Sequence, residues 1–409
     1  MPKTCHAEGP WRPPGLFPTL AARKRKIEIN MASSSNVHHL PYLVFGSRGY
    51  LIDESSFKRQ RHNKDNMINN LPDCILYHIL SFLPTKDAVK TSILATNWRY
   101  LWTYLSVLDF QMLSKLQNLQ HRSIFPNYSL LPRNFNSLTK LSLQLAKTNL
   151  CIPTSIPFPS LKTLSLSHAT FANDNSLEQF LSRCPLLQDL TLNYCFLFYI
   201  GFYINKITIA ISTLRNLTIH IDHCCLNGHD FANYSVEIDA VNLLSLTCTS
   251  CPTIQFRIVN PLTSILDAYI AFGRNIRQQI NHQLVSSCSL MLLSKLSNVK
   301  SLALSKISVL IHGRYLVIEH LHLLPEFHTL THLCVDSKID IFSRKTIMEF
   351  LLRCPKLEVL DLALGCSTRF VNIYDHDHAL IPVPLCLKSS LKILHISKFD
   401  GSATSLVIC

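Results

Sequence analysis

Between residues 71 and 102 the apolar positions predict three short helices, and the first of them lies between Pro72 and Pro84. Pro72 can open this helix, and Pro84 must close it because the residue before a proline is pushed out of the helical region. The apolar residues at helical spacing are Leu71, Ile75, Leu76, Ile79, Leu80 and Leu83. This spacing predicts a single amphipathic helix with one apolar face.

Two shorter helices are predicted directly after Pro84. Thr85 can cap the second helix, whose apolar side carries Val89. In the third, Trp98, Leu101 and Trp102 are spaced i, i+3 and i+4, which places both tryptophans on one face. Three short helices form a small core, and their apolar residues exceed its needs. The surplus surface either binds a partner or packs against the rest of this chain.

After residue 130 the pattern L-x-x-L-x-L recurs along the rest of the chain. It begins at Leu138, Leu161, Leu187, Leu214, Leu243, Val299, Leu330, Leu357 and Leu391, with a weaker copy at Ile265. Such a repeat is typical of a solenoid in which each unit contributes one strand to a parallel sheet. The predicted fold class is therefore α/β: a short three-helix unit, then an irregular leucine-rich-repeat solenoid with a curved parallel sheet. Helices and loops are expected on its convex side.

Two segments of the chain match each other without a gap. Residues 176–192, SLEQFLSRCPLLQDLTL, align with residues 346–362, TIMEFLLRCPKLEVLDL. Each copy carries a capping-box pattern, Ser176 with Gln179 and Thr346 with Glu349, which predicts a helix that begins at the same register. Cys184 and Cys354 are expected to fill small gaps in the core rather than to act as nucleophiles.

The segment LPDCILYHILSFLPTKDAVKTSILATNWRYLW, residues 71–102, resembles the F-box, most closely the plant type. The repeats resemble those that follow the F-box in plant F-box/LRR proteins, and SLKILHISKFDG at residues 390–401 resembles the opening of their FBD region. The expected domains are a flexible basic arm (1–65), an F-box (66–110), leucine-rich repeats (130–389) and a truncated start of an FBD-like region (390–409).

The resemblance implies a substrate-recognition subunit of a Skp-cullin-F-box ubiquitin ligase. The F-box would bind a Skp-family adaptor, which links it to cullin and RING subunits, and the repeats would bind a target protein. The residues expected to serve adaptor binding are Leu71, Pro72, Ile75, Leu76, Ile79, Leu80, Leu83, Pro84, Val89, Trp98, Leu101 and Trp102. No catalytic residue and no cofactor are expected. The alternative is a non-degradative interaction scaffold with a degenerate or competing F-box.

Composition indicates the cellular compartment of the chain and limits the classes of partner that it can bind. The chain has 409 residues, 47% of them hydrophobic, and a formal charge of +13. No secretory signal is visible, so the 15 cysteines are expected to be reduced thiols in the cytosol or nucleus. The basic clusters at 23–26 and 58–61 are compatible with nuclear import or with a solvated tail. The apolar run at 195–204 is about half the ~20 residues that cross a bilayer, so no membrane partner is expected.

Metal and nucleic-acid binding are the remaining chemical alternatives. Candidate zinc ligands are His220, His223, Cys224, Cys225, His229, Cys248 and Cys251, with a further cluster at His376, Asp377 and His378. They lack a second pair at a zinc-finger spacing, so structural packing is the preferred interpretation. The positions that alternate with the repeat leucines carry a single basic residue, Lys140. Nucleic-acid binding is therefore not expected, since no basic stripe could follow a phosphate backbone.

Overall fold

The structure, a computed structural model, describes the F-box segment and most of the repeat region. The described residues are 68, 71–111, 135–149, 156–171, 173–195, 198–199, 202–203, 206–221, 235–250, 254–272, 282–305, 324–337, 341–364 and 382–397. All of them belong to one compact unit of the chain. The predicted arm at 1–65 lies outside the described residues.

The described helices are short. They are α1 (Asp73–Ser81), α2 (Thr85–Lys90), α3 (Ser176–Leu181), α4 (His282–Ser294), α5 (Ile341–Leu352) and α6 (Leu385–Ser389), with 3-10 turns η1 (Thr91–Ile93), η2 (Thr96–Trp98) and η3 (Leu101–Tyr104). None of the helices within these described ranges is both long and apolar enough to cross a membrane.

Strands dominate the rest of the described chain. They are β1 (Val107–Gln111), β2 (Lys140–Asn149), β3 (Thr163–Thr170), β4 (Asp189–Asn193), β5 (Phe198–Tyr199), β6 (Phe202–Tyr203), β7 (Lys206–Ala210), β8 (Asn216–His220), β9 (Ser235–Asp239), β10 (Ser245–Ser250), β11 (Gln255–Ile258), β12 (Asp267–Phe272), β13 (Ser301–Ser305), β14 (His332–Ser337), β15 (Val359–Leu364) and β16 (Ile393–Ser397).

Eleven of these strands form one parallel sheet in the order β1-β2-β3-β4-β8-β10-β12-β13-β14-β15-β16. Each predicted repeat supplies one strand, including the weaker repeat at Ile265, which forms β12. The strands are in register, so the second leucine of each repeat lies beside that of the next. This row runs Leu141, Leu164, Leu190, Leu217, Leu246, Ala268, Leu302, Leu333, Leu360 and Leu394. The α/β fold class and the parallel sheet are confirmed.

The layer behind the leucines differs from the prediction of helices and loops alone. The strands β7, β9 and β11 form a second parallel sheet, in which Ile209 and Ile238 are fully buried. The two edge strands of this small sheet contact helices, because α3 contacts β7 and α4 contacts β11. The sheet therefore lies between these two helices. The reason is local sequence: KITIA, SVEID and QFRI alternate apolar and polar residues, the period of a half-buried strand.

The F-box segment packs directly on the start of the main sheet. Its core residues Leu76, Leu80 and Trp98 are continuous with the hydrophobic core of the repeats. The ring of Trp102 meets the ring of Phe110 on β1 edge to face at 6.3 Å, and lies 6.4 Å from that of Phe135. Further stacked or edge contacts extend this series from Phe135 through the next repeats. The sequence had left open whether the surplus apolar surface packs on the chain, and part of it does.

Two local predictions about this segment are wrong. The third helix is not one helix but two successive 3-10 turns, η2 and η3, with Trp98 in the first and Trp102 in the second. Aromatic and β-branched side chains lose rotamer freedom in a helix, which weakens the helical preference of Thr96–Tyr104. Thr85 does not cap α2. Its hydroxyl oxygen instead accepts a hydrogen bond from the backbone amide of Asp109.

Both predicted capping boxes are also wrong, although the duplicated helices exist. The Ser176 hydroxyl bonds to the Asn173 side chain at 2.9 Å and makes no cap bond to the backbone of α3. In the second copy, α5 starts at Ile341, so Thr346 lies inside it. The predicted burial of Cys184 and Cys354 is confirmed, and each thiol donates to a carbonyl four residues earlier.

Candidate protein-interaction surfaces

The first candidate surface is an apolar patch on the F-box segment, which we name the helical patch: Ile75, Ile79, Phe82, Ile93 and Leu94. Its residues are between 38% and 72% exposed, and Phe82 is the most exposed. Ile75, Ile79 and Phe82 are spaced i, i+4 and i+7 along one side of α1 and its end. Five large exposed apolar side chains within 20 residues make this segment a candidate binding surface.

The structure divides the predicted adaptor-binding residues between core and surface. Helix α1 carries two apolar stripes rather than the single face predicted, because Leu76 and Leu80 point inward while Ile75 and Ile79 are exposed. The buried members are Leu76, Leu80, Trp98, Leu101 and Trp102; the partly buried ones are Leu71, Leu83 and Val89; the exposed ones are Pro72, Ile75, Ile79 and Pro84. The buried members maintain the shape of the surface and cannot themselves touch a partner.

Sequence reasoning missed Phe82, Ile93 and Leu94 as surface residues. A signal for Phe82 was present, since it follows Ile79 by three residues and completes the second stripe just before Pro84. Ile93 is the last residue of the turn η1, and Leu94 follows it. The period of an α-helix does not apply there, so it could not predict which of these side chains are exposed.

The second candidate surface is the face of the main sheet opposite the leucines, which we name the open face. Three rows of residues in register make up this face, with one residue of each row on every strand. The first runs from Val107 to Ile393, the second from Asp109 to His395 and the third from Gln111 to Ser397. The positions predicted from alternation to face away from the core are these rows.

The open face is acidic although the chain is basic. Its three rows carry five aspartates, Asp109, Asp189, Asp267, Asp336 and Asp361, and one lysine, Lys140. The rows also include His220, His332 and His395. Most other members are serine, threonine, asparagine, glutamine or alanine. The sequence alone established only that Lys140 is the single Lys or Arg at these positions. The strand β12 of the weaker repeat and the strand β1 add Asp267 and Asp109, which make the face acidic.

Polar contacts fix several of these carboxylates across strands. Asp189 accepts hydrogen bonds from the Thr163 hydroxyl at 3.1 Å and the Asn216 amide at 2.6 Å, so it is held by both neighbouring strands. The Asp361 carboxylate lies 2.7 Å from Nδ1 of His395 on the last strand. Asp267 is exposed, and partial desolvation by the surrounding protein raises the pKa of its carboxyl group.

A series of three rings lies where β3, β4 and β8 approach their carboxyl ends. The Tyr194 ring stacks against His168, with ring centroids 5.3 Å apart, and lies 6.4 Å from the His220 ring. His168 and Tyr194 both have positive φ angles, of 57° and 52°. Non-glycine residues pay a conformational cost there and persist where their surroundings hold them. Tyr194 is nevertheless 43% exposed.

The predicted zinc-ligand residues divide between described and undescribed parts of the chain. Burial raises the pKa of the Cys248 thiol to about 12, which disfavours the thiolate that zinc binds. His220 is part of the ring series. His223, Cys224, Cys225, His229, Cys251 and the 376–378 cluster lie outside the described residues. In the part of the chain that the structure describes, no three His, Cys, Asp or Glu residues are grouped to hold a metal.

Comparison with known families assigns both surfaces to recognised domains. Residues 68–110 match the F-box domain model, and residues 105–268 match the model for the LRR repeats of FBD-associated F-box protein At5g56370. The chain therefore contains an F-box and F-box-associated leucine-rich repeats. The helical patch therefore lies on an F-box, and the strands of the open face from β1 to β10 lie within F-box-associated leucine-rich repeats.

Relatives in Arabidopsis thaliana share this architecture over most of their length. The chain is 26% identical to F-box/FBD/LRR-repeat protein At5g22660 over 394 residues, which cover 82% of this chain and 84% of the relative. It is also 26% identical to F-box/LRR-repeat protein At3g59250, over 81% of this chain and 83% of the relative. The chain is thus similar over most of its length to plant proteins named for an F-box and leucine-rich repeats, and the resemblance stated from the sequence is confirmed.

Proposed function

We propose that this F-box/LRR-repeat protein is the substrate-recognition subunit of a Skp-cullin-F-box ubiquitin ligase. The helical patch binds a Skp-family adaptor, which connects the chain to cullin and RING subunits. The open face holds the target protein. Catalysis then rests on proximity, because a target held beside a ubiquitin-charged enzyme reacts at a raised effective concentration. The chain contributes no catalytic side chain in this proposal.

The observation that carries the proposal is the exposure of the helical patch. Ile79 is 38%, Phe82 72% and Leu94 61% exposed, although the chain has a continuous core only a few residues away. Burying one such side chain fully gains about 1.5–3 kcal/mol, so a partner that covers the patch gains substantial free energy. An aromatic side chain such as Phe82 is typical of the hot spots that dominate protein interfaces.

Co-purification of the full chain with a Skp-family adaptor tests the proposal. The informative variant is Ile79→Ser/Phe82→Ser, because both side chains are exposed and their loss leaves the core intact. Substitution of Leu80 or Trp98 would not serve, since these residues are 0% and 4% exposed and maintain the fold. A matched control is Leu186→Ser/Val241→Ser, which removes two exposed apolar side chains from the repeats.

The parent and the control are expected to capture the adaptor in equal molar amount. The helical-patch variant should lose at least tenfold in affinity, since one hot spot typically contributes about 2 kcal/mol or more. A folded parent that captures no adaptor, or a helical-patch variant that captures it as well as the parent does, would overturn the proposal. Far-ultraviolet circular dichroism of each variant confirms that it is folded.

A non-degradative scaffold is the second candidate, and the acidic open face is equally compatible with it. The two functions differ in the fate of a bound target. With cullin, RING subunit, conjugating enzyme and ubiquitin added, the ligase function predicts target ubiquitination by the parent and not by the helical-patch variant. The scaffold predicts binding by both and modification by neither.

We further propose that the complex acts in the nucleus, the cytoplasm or both. The basic clusters at 23–26 and 58–61 support nuclear entry. Fluorescent fusions of the parent and of a variant with Ala at 23–26 test this. Retention of the parent in the secretory pathway would contradict it.

A further inference from the structure

The distribution of charge on the open face differs from that of the whole chain. The chain carries 39 Lys and Arg against 26 Asp and Glu. The rows of the open face, all on described strands, reverse this balance, with five aspartates and Lys140 as their single Lys or Arg. A basic protein that keeps cations off one face of its sheet presents that face to a partner of positive charge.

The aspartates are spread along the sheet rather than grouped at one point. Asp109 lies on β1, Asp189 on β4, Asp267 on β12 and Asp361 on β15. Adjacent strands are about 4.8 Å apart, so these carboxylates extend over several tens of Å. An extended peptide that crosses the strands would meet a carboxylate repeatedly along its length.

The ring series supplies a fixed apolar contact on the same sheet. Tyr194 lies between His168 and His220, and its backbone amide donates to the His220 carbonyl at 2.7 Å. A tyrosine so held loses little freedom on binding, which is what a hot-spot residue requires. Glycine would adopt this left-handed backbone conformation at a lower conformational cost than tyrosine. The backbone conformation therefore does not explain why a tyrosine stands at this position.

We propose that the open face binds an extended, Lys/Arg-rich segment of a protein, with Tyr194 as the aromatic anchor. This rests on the proposed function only in identifying the bound protein as the target. The chemistry follows from the surface, because aspartates across the sheet can pair with Lys and Arg side chains. On β12 and β13 the segment lies over the first row, at Asp267 and Ser301, since Ala271, Ala303 and Ser305 of the other rows are buried. The exposed edge of the Tyr194 ring packs against the stem of a long side chain or an apolar residue of the segment.

Fluorescence anisotropy of the full chain with three labelled peptides tests the proposal. The peptides alternate Ser with Lys, Gln or Glu, and each has about 15 residues, since an extended chain of that length spans about 50 Å. The parent is expected to bind the Lys peptide at least tenfold more tightly than the Gln peptide, with an affinity that falls as salt is added. Equal affinity for the Lys and Gln peptides would overturn the proposal.

Matched charge variants locate the binding surface. Asp109→Asn/Asp267→Asn removes two exposed carboxylates from the open face, and Glu178→Gln/Glu349→Gln removes two from helices α3 and α5. The first variant should lose about fivefold in affinity for the Lys peptide, the sum expected of two exposed ion pairs. The second should bind as the parent does. An equal loss in both variants would show general charge attraction and contradict the proposal.

Tyr194→Gly separates binding from stability. Glycine adopts a φ of 52° without steric cost, so the variant should remain folded while it loses the anchor. Severalfold weaker binding of a Lys peptide that also contains Leu, with an unchanged unfolding midpoint, is the expected result. Unchanged binding would remove Tyr194 from the site. The helical-patch variant Ile79→Ser/Phe82→Ser should bind all peptides as the parent does, so failure of the adaptor proposal is distinguishable from failure of this one.

Discussion

The hydroxyl oxygen of Thr85 accepts a hydrogen bond of 2.8 Å from the backbone amide of Asp109. This bond joins the first residue of α2 to the first strand of the main sheet, and Thr85 is 8% exposed. Thr85→Val keeps the side-chain shape but leaves the Asp109 amide without its partner. We expect a loss of about 1–3 kcal/mol in the free energy of unfolding, measured by urea denaturation. Thr85→Ser retains the hydroxyl and should lose clearly less; an equal loss would assign the effect to packing.

A second prediction concerns the aromatic series behind the sheet. Phe158 stacks on Phe135 with centroids 5.6 Å apart and meets Phe180 edge to face at the same separation. Phe158→Ala should destabilise the protein by about 3–5 kcal/mol, since it removes a buried ring from the middle of the series. Phe158→Leu, which leaves a smaller cavity, should cost less. If the series couples F-box and repeats, Trp fluorescence from the F-box and circular dichroism from the sheet should report one shared transition.

A third prediction compares two leucines at the same repeat position. Leu360 on β15 is 3% exposed, whereas its register partner Leu394 on β16 is 49% exposed because β16 is the last strand of the sheet. Leu360→Ala should cost about 2–5 kcal/mol of stability, whereas Leu394→Ala should cost a fraction of that. Chemical denaturation of the two variants decides this. Similar losses would mean that another part of the chain covers Leu394 in solution.

A fourth prediction follows from the buried thiols. Burial raises the pKa of both Cys195 and Cys248 to about 12 from the ordinary value of 9.0. Above pH 9 the unfolded chain releases these protons while the folded chain retains them, so stability is fully present below pH 9 and falls as pH rises toward 12. The slope is about 1.4 kcal/mol per pH unit for each thiol.

Urea denaturation under reducing conditions at neutral and alkaline pH measures this slope. Cys248→Ala should make the slope shallower by the contribution of one thiol. The matched control Cys74→Ala removes an exposed cysteine and should leave the slope unchanged. The same slope in all three proteins would show that other groups govern the alkaline loss.

The parts of the fold that the sequence predicts are those set by side-chain period. The L-x-x-L-x-L spacing located every repeat strand of the main sheet, even at Ile265, where Ala268 replaces the second leucine. Burial of one face against water dictates that period, so it survives irregular spacing between repeats. The segments that form β7, β9 and β11 also alternate apolar and polar residues, so the same criterion predicts these three strands.

The parts that the sequence did not predict depend on neighbours rather than on period. Ser176 and Asn173 satisfy each other, and Thr85 has a distant partner, so a capping residue type alone does not fix a cap. Exposure of Ile79 beside buried Leu80 required knowing which side of α1 meets the repeats. Tyr194 as a surface residue depended on a left-handed backbone, for which a non-glycine residue gives no sequence signal.

The strand β1 has a consequence for the geometry of the whole complex. It follows the F-box turns after two residues and pairs along its full length with β2 of the first repeat, so no linker separates the two domains. On the proposed function, an adaptor on one domain and a substrate on the other would be held at a fixed distance and angle. Selectivity among the lysines of a substrate would then follow from position. Lysines that this rigid connection places near the charged enzyme would be modified, whereas equally reactive lysines elsewhere on the same substrate would not.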